Sequence, residues 1–138
     1  MKKWHINSII IIALLALDQL TKYLASNGTI LFDTKFLAFN LVKNTGASFG
    51  MLQDTNIYLI WVSIIALGAI MYYYNTVPRD QQIALVLVSA GIIGNFIDRV
   101  LFGFVIDFID LKFWPVFNVA DSCISIGVVW LAIMMIRR

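Results

Sequence analysis

From residue 55 to residue 78 the chain carries no charged side chain, and residues 81–97 carry none either. A membrane crossing takes about 20 mostly apolar residues, so such runs are matched to a bilayer and poorly matched to water. Two further stretches bring the number to four, over about 6–25, 57–74, 81–102 and 115–136. The bulk composition agrees: 61% of residues are hydrophobic and 13% charged, against roughly 25% charged in a soluble domain. The expected architecture is an all-α membrane protein, a bundle of four transmembrane helices forming a single domain over 1–138.

The acids are distributed unevenly along these segments. Asp18 falls late in the first and Asp98 late in the third, while Asp121 falls early in the fourth, after Asp107. With successive segments crossing in alternating directions, all four carboxylates emerge near one face. A charge at bilayer depth costs at least a few kcal/mol and marks a candidate functional site. Other chemistries lack their residues. His5 is the single histidine and lies in the N-terminal tail, which excludes a histidine-based zinc centre or a Ser-His triad, and Cys123 is the single cysteine, which excludes an internal disulfide. The net charge of +2 comes from scattered residues and gives no basic face for nucleic acid.

Counting lysine and arginine orients the chain. With the N-terminus inside, Lys2, Lys3, Arg79, Arg137 and Arg138 lie on the inner side and Lys35, Lys43 and Lys112 on the outer, with Lys22 and Arg99 at helix ends. Tyr72, Tyr73 and Tyr74 mark the inner interface; Tyr23, Tyr58, Trp61 and Trp114 mark the outer one. The acids then face outward. Lys2-Lys3 before an apolar run also describes a cleavable signal peptide, but Asp18 and Lys22 sit awkwardly around a cleavage site, and a retained span is expected.

The first connection, 26–54, is apolar and β-tending and is bounded by Asn27-Gly28 and Asn44-Thr45-Gly46. Two or three short strands are expected in it, one around Thr29–Phe32 and one around Phe36–Val42, packed on the outer membrane surface. The second outer connection, 103–114, is short and reads as a loop. Pro115 suits the first turn of the fourth helix, which would put Asp121 about 9 Å along it at 1.5 Å per residue.

Helical spacing sorts the polar residues into faces. Asp18, Thr21 and Lys22 share one, Asn95, Asp98 and Arg99 another, and Asn118, Asp121, Ser122 and Ser125 a third. Lipid offers no hydrogen-bond partners, so these faces must turn into the bundle. Structural pairing of Asp18 with Lys22 and of Asp98 with Arg99 explains much of the pattern. Asp107 and Asp121 have no basic neighbour at helical spacing. Held within hydrogen-bonding reach, they would share a proton and serve as base and acid; spacing by itself leaves open two separate interfacial acids. Asn118, one turn before Asp121, is expected to orient the site without contributing much to stability.

Five motifs occur in order: Asp18-Gln19-Leu20-Thr21-Lys22, Asn44-Thr45-Gly46-Ala47-Ser48-Phe49, Gly94-Asn95-Phe96-Ile97-Asp98-Arg99, Val105-Ile106-Asp107-Phe108 and Phe117-Asn118-Val119-Ala120-Asp121. Together they resemble the lipoprotein signal peptidase (signal peptidase II) family of bacterial aspartic proteases. The resemblance implies four transmembrane helices, a small extracytoplasmic β-cradle and a periplasmic helix or loop that closes on substrate. It implies that Asp107 and Asp121 are catalytic, with Asn44, Gly46, Asn95, Asp98, Arg99, Asn118 and Ala120 around the site and Asp18 and Lys22 in the first-helix motif. It further implies a prolipoprotein substrate cut just before a diacylglyceryl-cysteine at the outer leaflet, no metal or organic cofactor, and inhibition by globomycin-type cyclic peptides. The location implied is the bacterial cytoplasmic membrane, with membrane lipids as surroundings and the enzyme a monomer.

Two competing classes fit less well. An ion- or proton-coupled transporter would need acids at several depths and repeated halves with broken helices. A non-catalytic helical subunit explains the Asp-Lys and Asp-Arg sets but leaves Asp107 and Asp121 without a purpose.

Overall fold

In the computed structural model the described residues are 3–29, 32–46 and 55–137. Ile30 and Leu31 of the expected first strand, Ala47, Ser48 and Phe49 of the second motif, and Lys2 and Arg138 of the charge count lie outside them. The described chain runs α1 (Lys3–Ser26), β1 (Ala38–Asn44), α2 (Asn56–Tyr73), α3 (Arg79–Phe102), β2 (Val105–Asp110) and α4 (Val119–Ile136). All four helices are long and apolar enough to cross a membrane. Their outward faces carry Ile12, Ile65, Met71, Leu101 and Ile136, each more than half exposed, as befits a surface solvated by lipid.

The helices associate through small residues. A Cβ on Gly91 would stand 2.3 Å from the Ala120 backbone oxygen, and one on Gly94 would stand 2.7 Å from Asp18 Oδ2. From the other side, a Cβ on Gly127 would meet the Ala84 backbone oxygen at 2.8 Å. With lipid as solvent, close backbone approach supplies the packing that burial from water supplies elsewhere. Helices α3 and α4 therefore touch along their length, and α1 leans on both at the level of Asp18.

The α1–α2 and α3–α4 connections are not independent loops. Strand β1, from the first, pairs antiparallel with β2, from the second, in a register that sets Val42 opposite Asp107 and Ala38 opposite Asp110. The connection expected as a plain loop is thus partly a strand. Its acids recur at the third and sixth positions, so no period-2 alternation marks it in the sequence, and the ladder to β1 makes it a strand. Gly103 makes the exit from α3 possible: at φ +80° it takes the left-handed conformation, and its N–H caps the Arg99 carbonyl. A bridge at Asp33–Ala38 and the Phe39 N–H donating to the Phe32 carbonyl fold the start of the first connection onto β1. Among the described residues of the connections there is no further helix.

Helix α4 begins at Val119, not at Pro115. Phe117 exchanges backbone hydrogen bonds with Ile109, so the chain stays extended beside β2 until Asn118. Asn118 is the N-cap and Asp121 the third helical residue, about 3 Å from the helix start at 1.5 Å rise. Asp121 therefore stands nearer the start of α4 than Pro115 implied.

Candidate active site

The site is assembled where α1, α3, α4 and β2 converge. Its base is a buried ionic cluster. Lys22 Nζ lies 2.8 Å from Asp18 Oδ2 and 2.9 Å from Asp98 Oδ2, and all three side chains are about 2% exposed or less. Asp98 therefore pairs with Lys22 across two helices and not with its sequence neighbour Arg99. A charge pair buried this deeply holds together when the remaining lone pairs are satisfied, and here they are. Asp18 Oδ1 accepts the Ala120 backbone N–H at 2.8 Å, Asp98 Oδ1 accepts from Gln19 Nε2 at 2.9 Å, and Asp98 Oδ2 accepts the Ile106 N–H at 3.2 Å. The cluster thus anchors the first turn of α4 and the start of β2 to α1 and α3.

Gln19 was not singled out from the sequence, although it stands inside the first motif. Glutamine beside a carboxylate in an apolar helix was the available signal. Thr21, grouped with Asp18 and Lys22 by spacing, instead bonds its own helix at Leu17 and Asp18 carbonyls.

Above the ionic cluster lies a layer of asparagines. Asn95 Oδ1 accepts from Lys22 Nζ and from Asn118 Nδ2, both at 3.1 Å, and Asn95 Nδ2 donates to Asp121 Oδ1 at 2.7 Å. Asn118 Nδ2 also donates to Asp107 Oδ1 at 2.7 Å, while Asn44 Nδ2 donates to Asp107 Oδ2 at 2.9 Å. Asn44 in turn is oriented by the Gly46 N–H on its Oδ1 at 3.0 Å. Asp107 and Asp121 are thus joined through Asn118, whose side-chain amide donates to Asp107 and whose backbone N–H donates to Asp121 Oδ2 at 3.2 Å. Asn118 is fully buried as well as capping α4, so its contribution to stability is larger than the sequence implied.

Strand β2 carries two aspartates with opposite tendencies. Burial pushes the Asp107 carboxyl up to about 6, the Asp121 charge adds to this, and the Asn44 and Asn118 hydrogen bonds partly offset it. Asp110, at the exposed end, is held below the usual range by the Lys112 backbone N–H and then by Asn40 Nδ2.

A cavity of about 640 Å³ opens over the two carboxylates. Asn44, Gly46, Asn95, Arg99, Asp107 and Asp121 contribute polar lining, and Leu111, Phe113, Trp114, Phe117 and Ile124 contribute apolar lining. Arg99 therefore faces inward, and its buried Nε has no hydrogen-bond partner among the described residues. Ser122 and Ser125 continue the lining along α4. Of the residues singled out from the sequence, Asn44, Gly46, Asn95, Arg99, Asp107 and Asp121 line the cavity, while Asp18, Lys22, Asp98, Asn118 and Ala120 lie behind it. Cys123 is buried and unpaired.

The chain is similar to known proteins over nearly its whole length. Residues 10–137 match the family described as signal peptidase (SPase) II. A lipoprotein signal peptidase of Caldanaerobacter subterraneus subsp. tengcongensis is 40% identical over 140 residues, covering 95% of this chain and 97% of that protein. One from Geobacter sulfurreducens is 38% identical, covering 98% and 94%. A bacterial membrane enzyme solved by the in meso method at 2.3 Å superposes with a TM-score of 0.90 at 33% identity, covering 96% of this chain and 88% of the other. On this evidence the chain belongs to the signal peptidase II family and is a peptidase of that type.

Proposed function

We propose that the protein removes the signal peptide from diacylglyceryl-modified bacterial prolipoproteins, cutting just before the lipidated cysteine by an aspartic mechanism. The observation that carries this reading is the pair Asp107 and Asp121, hydrogen-bonded to a common asparagine and lining a cavity that carries both polar and apolar side chains. The chemistry needs one carboxylate and one carboxylic acid. The carboxylate takes a proton from water as the oxygen attacks the scissile carbonyl, and the acid gives its proton to the carbonyl oxygen. Collapse of the tetrahedral intermediate breaks the C–N bond as the proton taken from water passes to the leaving amine, and one hydroxyl of the intermediate returns a proton to the other carboxylate. A carboxyl such as Asp107, raised to about 6, keeps its proton well above the ordinary carboxylate range. Arg99 is placed to grip a substrate carbonyl, and Asn44 to meet substrate backbone or the modified cysteine.

The apolar lining suits the acyl chains and the unwound end of a signal helix, and its globomycin-type inhibitors would enter the same space. In this reading the enzyme acts as a monomer in the bacterial cytoplasmic membrane, with both termini cytoplasmic and the carboxylates near the outer face. The deciding experiment is incubation of the purified protein in lipid with a prolipoprotein, with and without its diacylglyceryl group. Cleavage before cysteine in the lipidated form, lost in both Asp107→Asn and Asp121→Asn, is the expected result. Equal cleavage of the unlipidated form, or normal turnover by either variant, would reject it.

A further inference from the structure

Lys22 does not touch the cavity, yet its ammonium has three hydrogens and three acceptors: Asp18 Oδ2, Asp98 Oδ2 and Asn95 Oδ1. Two of these neutralise charge. The third goes to a neutral amide that in turn holds Asp121. We infer that Lys22 is a positioning residue for Asp121, acting through the Asn95 amide; the inference rests on the catalytic reading of Asp121 given above.

The geometry leaves Asn95 one orientation. Its oxygen receives two donors that cannot accept in return, the Lys22 ammonium and the Asn118 Nδ2. Its N–H2 must then face the other way, where Asp121 Oδ1 waits at 2.7 Å. An amide flip would set N–H2 against both donors and strip Asp121 of its partner. The ammonium also polarises the amide, which strengthens the outgoing N–H bond to the carboxylate. Meanwhile the Asp18 side chain fixes the Ala120 N–H, one residue before Asp121. The lysine thus locates one oxygen of Asp121 from α1, while the Asn118 backbone N–H at 3.2 Å locates the other from within α4. A lysine that merely balanced two aspartates would be satisfied by any cation able to reach them.

That distinction sets the test. Lys22→Arg keeps the charge, but a planar guanidinium cannot offer three hydrogens in the ammonium's tetrahedral arrangement. In lipid nanodiscs, with a diacylglyceryl lipopeptide as substrate, Lys22→Arg should lower kcat on the order of tenfold with KM unchanged, as small misplacement of a reacting group does. Asn95→Leu should lower kcat as well, and adding Lys22→Arg to it should have no further effect. Multiplication of the two effects, or full kcat in Lys22→Arg, overturns the inference. Should Lys22→Arg fail to fold, the pair Asp18→Asn/Lys22→Gln, which leaves the cluster's net charge unchanged and keeps an oxygen for the Ala120 N–H, enters the same cycle with the same expected outcome. Asp121→Asn serves as control: turnover there rejects the catalytic reading itself, whereas multiplicative effects with a dead Asp121→Asn reject the lysine's part in it.

Discussion

Asn118 and Asp121 hold each other twice: the Asp121 backbone N–H donates to Asn118 Oδ1 at 2.8 Å, and the Asn118 backbone N–H donates to Asp121 Oδ2 at 3.2 Å. This capping box starts α4 and aims one of the two cavity carboxylates with the same bonds. The remaining hydrogens of the Asn118 amide reach Asn95 and Asp107. Local helix chemistry and site geometry are therefore inseparable at this residue.

Asn118→Ala should accordingly damage both. Loss of an N-cap costs about 1 kcal/mol, and the buried donors and acceptors left without partners add about 1–3 kcal/mol. Asn118→Asp retains a capping oxygen but brings a third carboxyl against Asp107. It should stay folded and lose turnover. Thermal unfolding in detergent beside initial rates separates the two variants, and a wild-type melting temperature for Asn118→Ala would count against the capping role.

Which features could be read from sequence follows from how local their causes are. The four spans depend on composition over a window, and Asp18 with Lys22 depends on i,i+4 spacing; both were legible. The partner of Asp98 was not, because Arg99 stands next to it in sequence while Lys22 arrives from another helix. The start of α4 was misplaced because Pro115 satisfies the rule for a first helical turn, whereas backbone bonds between Phe117 and Ile109 keep the chain extended for three more residues. Asn118-Val119-Ala120-Asp121 carries a capping-box spacing that would have located the true start. Strand β2 was hidden by its shortness, since its pairing with β1 is a long-range event. The motifs name the asparagine layer residue by residue, but the one asparagine that holds Asp107 by its side chain and Asp121 by its backbone N–H is recognisable only with β2 and α4 side by side.

Arg99 and Lys22 should differ sharply in what their loss does. Lys22 balances two buried carboxylates, and breaking a buried pair on one side typically costs about 3–5 kcal/mol. Arg99 faces the cavity with an unpartnered Nε, so nothing of comparable strength is broken when it goes. Lys22→Met should lower the melting temperature much more than Arg99→Met, while Arg99→Met should chiefly depress kcat/KM. Equal melting temperatures for the two variants would contradict the assignment of Lys22 as the counter-ion of Asp98.

The raised Asp107 carboxyl makes stability depend on pH in a defined direction. Its ordinary value is 3.8 and its folded value about 6. Below about pH 4 the group is protonated in folded and unfolded chains alike, and no penalty applies. Between about 4 and 6 the unfolded chain ionises while the folded one retains its proton, so stability falls as pH rises through this window and levels off above it. Asp107→Asn lacks the titration. Its melting temperature relative to wild type should therefore rise from pH 4 to pH 7; a difference constant across that range would show that Asp107 is not raised.

The glycines of the helix contacts give a prediction independent of catalysis. Gly91 and Gly68 both lie within helices, where replacing glycine by alanine gains up to about 1 kcal/mol from reduced backbone freedom. Nothing stands within 4 Å of a Cβ built on Gly68, so Gly68→Ala should be neutral or mildly stabilising. At Gly91 the same atom would lie 2.3 Å from the Ala120 backbone oxygen and 3.1 Å from the Ile124 backbone nitrogen. Neither can move without displacing the first two turns of α4, and overpacking of this kind costs about 1–3 kcal/mol. Since Ala120 immediately precedes Asp121, Gly91→Ala should reduce turnover along with the melting temperature. Gly68→Ala should change neither downward, and paired measurements of rate and unfolding on the two variants would establish whether the α3–α4 contact sets the position of the site.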